Sequence, residues 1–211
     1  MGASGDTEPE IGDEYEGGFF AGYISQNADG VATHRLIVAP KSSGESSTTL
    51  KMHSTQASPN VTTTLYDGAT NTSNWLTFGN SPACSFASGL SINGYTDWYI
   101  PARYEMQVIY YHLKPSTTPN DTSRGSNAYA VPTLLNSNIG YTLDYSTTEP
   151  PQTSISDFQT GGTEAFDAAH YWCSSIGGGG RVHRHLFSNG NVVQDDAHDV
   201  NNVRAIRKVA I

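Results

Sequence analysis

The sequence predicts an α+β domain with short helices, a small antiparallel sheet and long loops, preceded by an N-terminal β-hairpin. Residues 94–114 join a turn, an aromatic and β-branched run, and an amphipathic helix. Residues 19–39 and 169–211 contain short β-rich runs separated by turn residues. Residues 116–164 are rich in Pro, Asn, Thr and Gly and lack helical periodicity, which predicts long loops.

The N-terminal segment, residues 1–16, carries six acidic residues and no basic one. This composition is typical of a flexible arm or docking tail, so folded structure is expected to begin at Gly17. No apolar segment resembling a signal peptide follows Met1, and no stretch is long enough to cross a bilayer. Folding in the cytosol where the chain is made is expected.

Residues 17–64 form the predicted hairpin segment. Strands are expected at residues 19–25 and 33–39, joined by a turn over residues 26–30. Pro40 ends the second strand because it lacks an amide hydrogen. Residues 41–59 are rich in Ser and Thr and are expected to be a loop with one short strand near residues 50–53.

Residues 65–211 form the predicted main domain, which opens with short helices at residues 71–78 and 82–90. The expected inward anchors of these helices are Trp75, Leu76, Phe86 and Leu90. The main helix is expected to begin at Pro101, with Glu105 where a capping-box acid would stand. Its apolar stripe comprises Met106, Ile109, Tyr110 and Leu113.

The last third predicts one short antiparallel sheet. Its strands are expected at residues 169–175, 181–187, 191–194 and 203–211, and further short ordered pieces at residues 131–135 and 139–145. Trp98 and Trp172 are predicted core anchors because each lies in a strand-like motif. Arg207 in the final strand is expected to hydrogen-bond loop carbonyls rather than a ligand.

The net charge and the absence of known catalytic motifs disfavour several classes of function for this chain. Charged residues make up 15% of the 211, and the net charge is −9, which disfavours a nucleic-acid partner because phosphate contacts need a basic face. The sequence contains no nucleophile elbow, H-E-x-x-H motif, P-loop lysine or Rossmann fingerprint. The glycine run over residues 177–180 is followed by no helix pattern, which favours a hairpin connection over a phosphate cradle. No enzyme activity and no cofactor are predicted.

A cluster of imidazoles and carboxylates near the end is the candidate polar site. His183 and His185 alternate on one strand face, and acids follow within a short loop, a pattern compatible with a divalent metal. The alternative is solvated histidines and a polar turn, and no metal is assigned. Recognition is expected in two loops, residues 176–185 and 189–202. The predicted ligand-binding residues are Tyr171, Arg181, His183, His185, Gln194, Asp195, Asp196, His198 and Asp199, with Tyr171 as a stacking face.

The order of short motifs resembles the DUF1566 (Lcl C-terminal) family over about residues 65–211. The matching residues are Ala83, Cys84, Leu90, Gly94, Asp97, Trp98, Pro101, Glu105, Tyr171, Trp172, Ser174, Ser175, Phe187, Gly190, Val203, Arg204, Ala205, Ile206 and Arg207. The chain departs from the family pattern at Tyr99, Ala102, Met106 and Cys173. The resemblance implies a C-type-lectin-like fold of the formylglycine-generating-enzyme type. It also raises an oxidase alternative using Cys84 and Cys173, against the default of two buried thiols.

Further segments resemble tailed-phage virion proteins. They are GGFFAGYIS, VATHRLIVAPK, PARYEMQVIYYHLKP and FQTGGTEAF. The resemblance implies a virion structural protein, assembled in the host cytoplasm, that serves as a receptor-binding fibre tip or adhesin. The expected partners are other virion proteins, further copies of the chain, and a host-surface glycan or protein. The competing class is a capsid or tail decoration protein that binds only virion subunits.

Overall fold

The computed structural model describes residues 8–132 and 144–211 and has a mixed α+β architecture whose mostly antiparallel sheets curl into a half-barrel. The α-helices of this described part are α1 (Lys41–Gly44), α2 (Gly68–Phe78), α3 (Pro82–Ser88) and α4 (Arg103–Leu113). Its strands are β1 (Glu14–Tyr15), β2 (Gly18–Ile24), β3 (His34–Val38), β4 (Leu50–Lys51), β5 (Ala130–Val131), β6 (His170–Ile176), β7 (Val182–Leu186), β8 (Val192–Asp195), β9 (Val200–Asn201) and β10 (Ile206–Ala210).

The first sheet has the strand order β1-β2-β3-β10, and β5 also pairs with β2. The predicted hairpin of β2 and β3 is confirmed. The last predicted strand, residues 203–211, was expected to join the C-terminal sheet. This expectation is wrong, because β10 pairs antiparallel with β3. The N-terminal hairpin and the end of the chain therefore share one sheet, across the boundary drawn between residues 64 and 65.

The expectation of a flexible arm up to residue 16 is also wrong for residues 8–16. The amide of Gly12 donates to the carbonyl of Phe20 over 2.8 Å, and Ile11 packs against the core. Glu16 and Asp97 both accept hydrogen bonds from the Arg207 guanidinium. This acidic segment is ordered by contacts with residues that are distant in the sequence. Its own composition does not indicate those contacts.

Helix α4 packs on β2 and carries the predicted apolar stripe, all four members of which are buried. The helix begins at Arg103, two residues after the predicted start, with Ala102 as its N-cap. Glu105 fills the predicted capping-box position: one carboxylate oxygen accepts from the amides of Ala102 over 2.7 Å and Gly68 over 3.0 Å. Because Ala102 has no side-chain oxygen, the reciprocal half of the box is missing.

A second sheet of β6, β7 and β8 also packs on α4 and contacts α2. The predicted glycine connection joins β6 to β7 as a short 3₁₀ turn, Gly178–Gly180. Trp98 and Trp172 are buried, as predicted, and the Trp172 indole donates to the carbonyl of Leu50 over 2.7 Å.

The short helices α2 and α3 are confirmed, but their anchors are only partly right. Trp75 is fully buried, and its indole donates to the carbonyl of Ser174 over 2.8 Å. Leu76 is 37% exposed, so its assignment as an inward anchor is wrong. Phe86 and Leu90 are partly buried. Leu76 follows Trp75 directly on the helix, so it points about 100° away from the buried face.

One further element, helix α1, differs from the expected structure, and two expected pieces are largely untested. Helix α1 is a single turn inside the segment expected to be a loop, and its brevity explains the missing periodicity. The expected ordered pieces at 131–135 and 139–145 lie largely outside the described residues, apart from β5 and the residues from 144 onward. Within the described part, no helix is both long enough and apolar enough to cross a membrane.

Candidate functional site

Tyr171, expected to offer a stacking face, lies inside the core. It is 0% exposed, and its hydroxyl donates to Glu45 over 3.1 Å and accepts from the amide of Asp167 over 3.0 Å. The rings of Phe166 and Phe187 pack edge-on against it. Its expected role at the ligand is therefore wrong, because this aromatic residue of β6 fills the core instead of facing solvent.

His183 and His185 share one face of β7, as their spacing predicts, but that face points inward. His185 is fully buried, with its ring 5.0 Å from the ring of Tyr110, and burial lowers its pKa to about 3. His183 is 6% exposed, and burial likewise lowers its pKa to about 4. The interpretation as solvated surface histidines is wrong. Within residues 8–132 and 144–211, no group of three His, Cys, Asp or Glu side chains is arranged to hold a metal.

The remaining predicted ligand residues lie at the start of β7 and on and after β8, where several pair with each other or with arginines. Arg181 forms an ion pair with Asp196 over 3.3 Å, and Asp195 forms one with Arg184 over 2.8 Å. Asp199 has a raised pKa, first because it hydrogen-bonds Asp195. The other members of this group, Gln194 and His198, are half-buried. The structure therefore separates this surface cluster from the buried Tyr171 and His185.

The two cysteines are free and buried, which confirms the prediction of packed thiols. Cys84 lies in the cluster around Trp75, whereas Cys173 lies in the cluster around Tyr110. Burial raises the pKa of each thiol to about 12, so both are protonated at neutral pH. The two thiols lie in different core clusters and form no disulfide with each other.

The structure contains a cleft, which we call the tyrosine cleft, and part of the predicted recognition loop over residues 176–185 lines it. It encloses about 580 Å³ and opens to solvent between the segment before α2, the start of α4 and the β6–β7 connection. Its lining residues are Thr63, Thr64, Leu65, Tyr66, Tyr104, Tyr129, Ile176, Gly177 and His183. This volume lies in the usual range of small-molecule sites, about 300–1,000 Å³.

Three tyrosine rings form the wall of the cleft. Tyr129 stacks on Tyr66 with 4.3 Å between ring centroids and on Tyr104 with 5.4 Å. Backbone hydrogen bonds hold the wall, since the Tyr104 amide donates to the carbonyl of Leu65 over 2.7 Å and the Tyr129 carbonyl accepts from the Ser25 amide over 2.7 Å. Burial raises the pKa of Tyr129, and the neighbouring phenols of Tyr66 and Tyr104 raise it further, so the three phenols lie near one another.

Two polar atoms at or near the cleft have no partner in the described part of the chain. Nδ1 of His183, a lining residue, is buried and has no hydrogen-bond partner there, and the same holds for Nε of Arg103. Arg103 does not line the cleft itself, but its guanidinium lies over the ring of the lining residue Tyr104, 5.5 Å from its centroid. A buried polar atom left unpaired costs about 1–3 kcal/mol, so a ligand that supplies hydrogen bonds to these groups would recover that cost.

Sequence reasoning identified His183 but missed the tyrosine wall of the cleft. Tyr66, Tyr104 and Tyr129 are far apart in the chain, and each stands in a different segment. Tyr104 alone has a local signal, because it lies on α4 outside the apolar stripe. Their convergence depends on how α4 and β5 pack against β2, which no local pattern encodes.

The geometry defines a class of protein, an α+β domain with an open aromatic cleft lined by loop residues and by residues of α4, β6 and β7. A scan against protein-family models, a search of curated proteins and a search of solved structures each found no match to this chain. The cleft and the sequence motifs are therefore the basis for assigning a function.

Proposed function

We propose that the chain is a structural protein of a tailed-phage virion, whose C-type-lectin-like domain acts as a receptor-binding fibre tip or adhesin. The observation that carries the proposal is the tyrosine cleft, an aromatic and polar cavity in which loop residues combine with residues at the ends of α4, β6 and β7. Binding residues are often placed this way, since loops vary while the frame holds them in position. The motif resemblance over residues 65–211 supports the lectin-like assignment, and the mixed α+β architecture is compatible with it.

The cleft is preorganised for binding, because hydrogen bonds to neighbouring elements hold the lining residues Thr63 and Thr64 in place. The amide of Thr64 donates to Asn71 over 2.7 Å, and the Ser175 hydroxyl donates to the carbonyl of Thr64 over 2.7 Å. The amide of Ile176 donates to the Thr63 hydroxyl over 2.8 Å. A ligand therefore meets a wall that is already ordered, which reduces the entropy lost on binding.

The test compares two tyrosines of the same helix, Tyr104 in the cleft and Tyr111 outside it. Virions carrying Tyr104→Ala are expected to contain the chain at normal levels but to adsorb poorly to host cells. Those carrying Tyr111→Ala, which loses a hydrogen bond to Glu149, are expected to adsorb normally. The melting temperature of each purified variant controls for folding.

Normal adsorption of Tyr104→Ala virions would exclude the cleft as the receptor site. A cryo-EM map of the particle separates the two structural roles, since a fibre tip lies at a distal end and a decoration protein lies on the shell or tube. If the Tyr104→Ala chain folds correctly but is missing from the particles, the result favours the decoration role, in which the partner is another virion subunit.

A further inference from the structure

We propose that the tyrosine cleft recognises a carboxylate-bearing sugar, with Arg103 pairing with the carboxylate; this ligand class rests on the binding function proposed above. Three features support it: a cation next to the cleft that lacks a counter-ion among the described residues, a lining imidazole whose Nδ1 has no partner there, and the tyrosine wall.

Arg103 differs from the other arginines in having no acidic or carbonyl partner for its guanidinium among the described residues. Five of the others form ion pairs: Arg35 with Glu8, Arg181 with Asp196, Arg184 with Asp195, Arg204 with Glu164 and Arg207 with Asp97. Arg124 donates to the carbonyls of Val192 and Ser123. The chain has 20 acidic residues against 11 Lys and Arg, so an unpaired guanidinium is not due to a shortage of carboxylates.

The position of Arg103 places its charge at the cleft. It is the first residue of α4, and its amide is fixed by a 3.0 Å hydrogen bond to the Ser175 hydroxyl. The guanidinium lies over Tyr104, and its charge contributes to the lowered pKa of His183, after burial. Guanidinium groups bind carboxylates with paired, charge-assisted hydrogen bonds, so an acidic ligand would supply the partner that the described chain does not.

His183 supplies an uncharged hydrogen-bonding group beside that cation. It is only 6% exposed, it lines the cleft, and its Nδ1 has no partner in the described chain. A neutral imidazole can donate or accept depending on its tautomer, which suits a hydroxyl group. The lining residues named above include no carboxylate that would repel an acidic ligand.

The tyrosine wall favours a sugar ring over a longer polyanion. The rings of Tyr66, Tyr104 and Tyr129 present apolar edges together with neighbouring hydroxyls, a combination that matches a ring bearing both C–H and O–H groups. A net charge of −9 opposes ligands with many negative charges, such as nucleic acid, whereas one carboxylate needs only one local cation.

The experiment measures binding of the monosaccharide galacturonate, which carries one carboxylate, and of the neutral monosaccharide galactose to the purified full chain by calorimetry. The acidic sugar is expected to bind at least about tenfold more tightly than the neutral one. Arg103→Gln is expected to weaken acidic-sugar binding about tenfold or more, and Arg103→Lys less, because it keeps the charge but loses the paired geometry. The control Lys51→Gln removes an exposed cation outside the cleft and is expected to bind as wild type.

Equal affinity for the two sugars, or equal losses in Arg103→Gln and Lys51→Gln, would overturn the carboxylate inference. Absence of sugar binding to the wild-type chain, while Tyr104→Ala virions still fail to adsorb, would refute the ligand class and leave the receptor-binding function standing. The reverse result, Arg103-dependent sugar binding with normal adsorption of Tyr104→Ala virions, would support the ligand class and refute the receptor role. Matching melting temperatures of the variants exclude misfolding as the cause.

Discussion

At the scale of single residues, Glu105 ties together two helix starts. Its carboxylate accepts from the amides of Gly68 and Ala102, and from the Tyr99 hydroxyl over 2.9 Å. Burial raises its pKa from 4.5 to about 7, against the lowering effects of Lys208 and of these hydrogen bonds. A carboxylate at a helix N-terminus is favourable, so desolvation outweighs the local interactions here.

This shift predicts a pH dependence of stability. A raised acid pKa means that the folded state holds a proton that the unfolded state has released between pH 4.5 and about 7. The contribution of Glu105 is therefore fully present below pH 4.5, falls as the pH rises to about 7, and is constant above that. The loss is on the order of 3 kcal/mol by linkage.

The measurement is the free energy of unfolding by denaturant from about pH 4 to 8, for wild type and Glu105→Gln. The variant keeps an oxygen for the two amides, and its amide group can donate to Tyr99, so it is expected to fold and to show a flatter profile across this range. An unchanged slope in Glu105→Gln would show that other groups cause the pH dependence.

At the scale of elements, the contact between α4 and β2 requires a glycine. Gly22 has φ +125°, and a Cβ there would lie 2.7 Å from His112 and 2.9 Å from Val108 on the helix. The pairing register of β2 with β3 also shifts between Phe20 and Gly22, which bends the strand beneath the helix. Gly22 therefore determines both the bend in β2 and how closely α4 approaches this strand.

Gly22→Ala is expected to be more destabilising than Gly94→Ala, measured as the change in free energy of unfolding. Gly94 also has positive φ, at +87°, but nothing lies within 4 Å of the place that a Cβ would occupy. Alanine there therefore costs backbone strain alone, about 1–2 kcal/mol. Gly22 adds a clash with two side chains. Equal costs at both positions would mean that α4 moves freely to accept a methyl group.

At the scale of the whole molecule, the first and the last of the described strands, β1 and β10, belong to one sheet. β10 pairs with β3, and Arg207 joins Asp97 over 2.7 Å and Glu16 over 2.8 Å. Glu8 forms an ion pair with Arg35. Residues 8–16 are therefore part of the packed sheet and its ion pairs, which an appended docking tail would not be.

Removing residues 1–16 is expected to lower stability by about 2 kcal/mol, or roughly 4–8 °C in Tm for a chain of this size. The loss comes from the exposed edge of β2, the uncovered core beside Ile11 and the carboxylate withdrawn from Arg207. Calorimetric melting of the shortened and full chains tests this. Identical melting temperatures would show that residues 1–16 do not stabilise the fold and would support the interpretation as an independent arm.

Sequence patterns alone account for the elements whose signals are local. The stripe on α4, the hairpin of β2 and β3, the Pro and Gly boundaries and the burial of Trp98 and Trp172 all follow from side-chain periodicity and backbone chemistry within about twenty residues. These signals are enough to predict the α+β class, because local propensity and hydrophobic pattern agree there.

Which elements meet is settled only in the folded chain. Folding places β10 beside β3, turns Tyr171 and His185 inward, orders residues 8–16 and brings three distant tyrosines to one cleft. The physical reason is that strand pairing and burial depend on contacts between distant segments, whose free energy depends on the whole packed arrangement. Alternation along β7 predicts that His183 and His185 share a face, but only the position of α4 makes that face the interior.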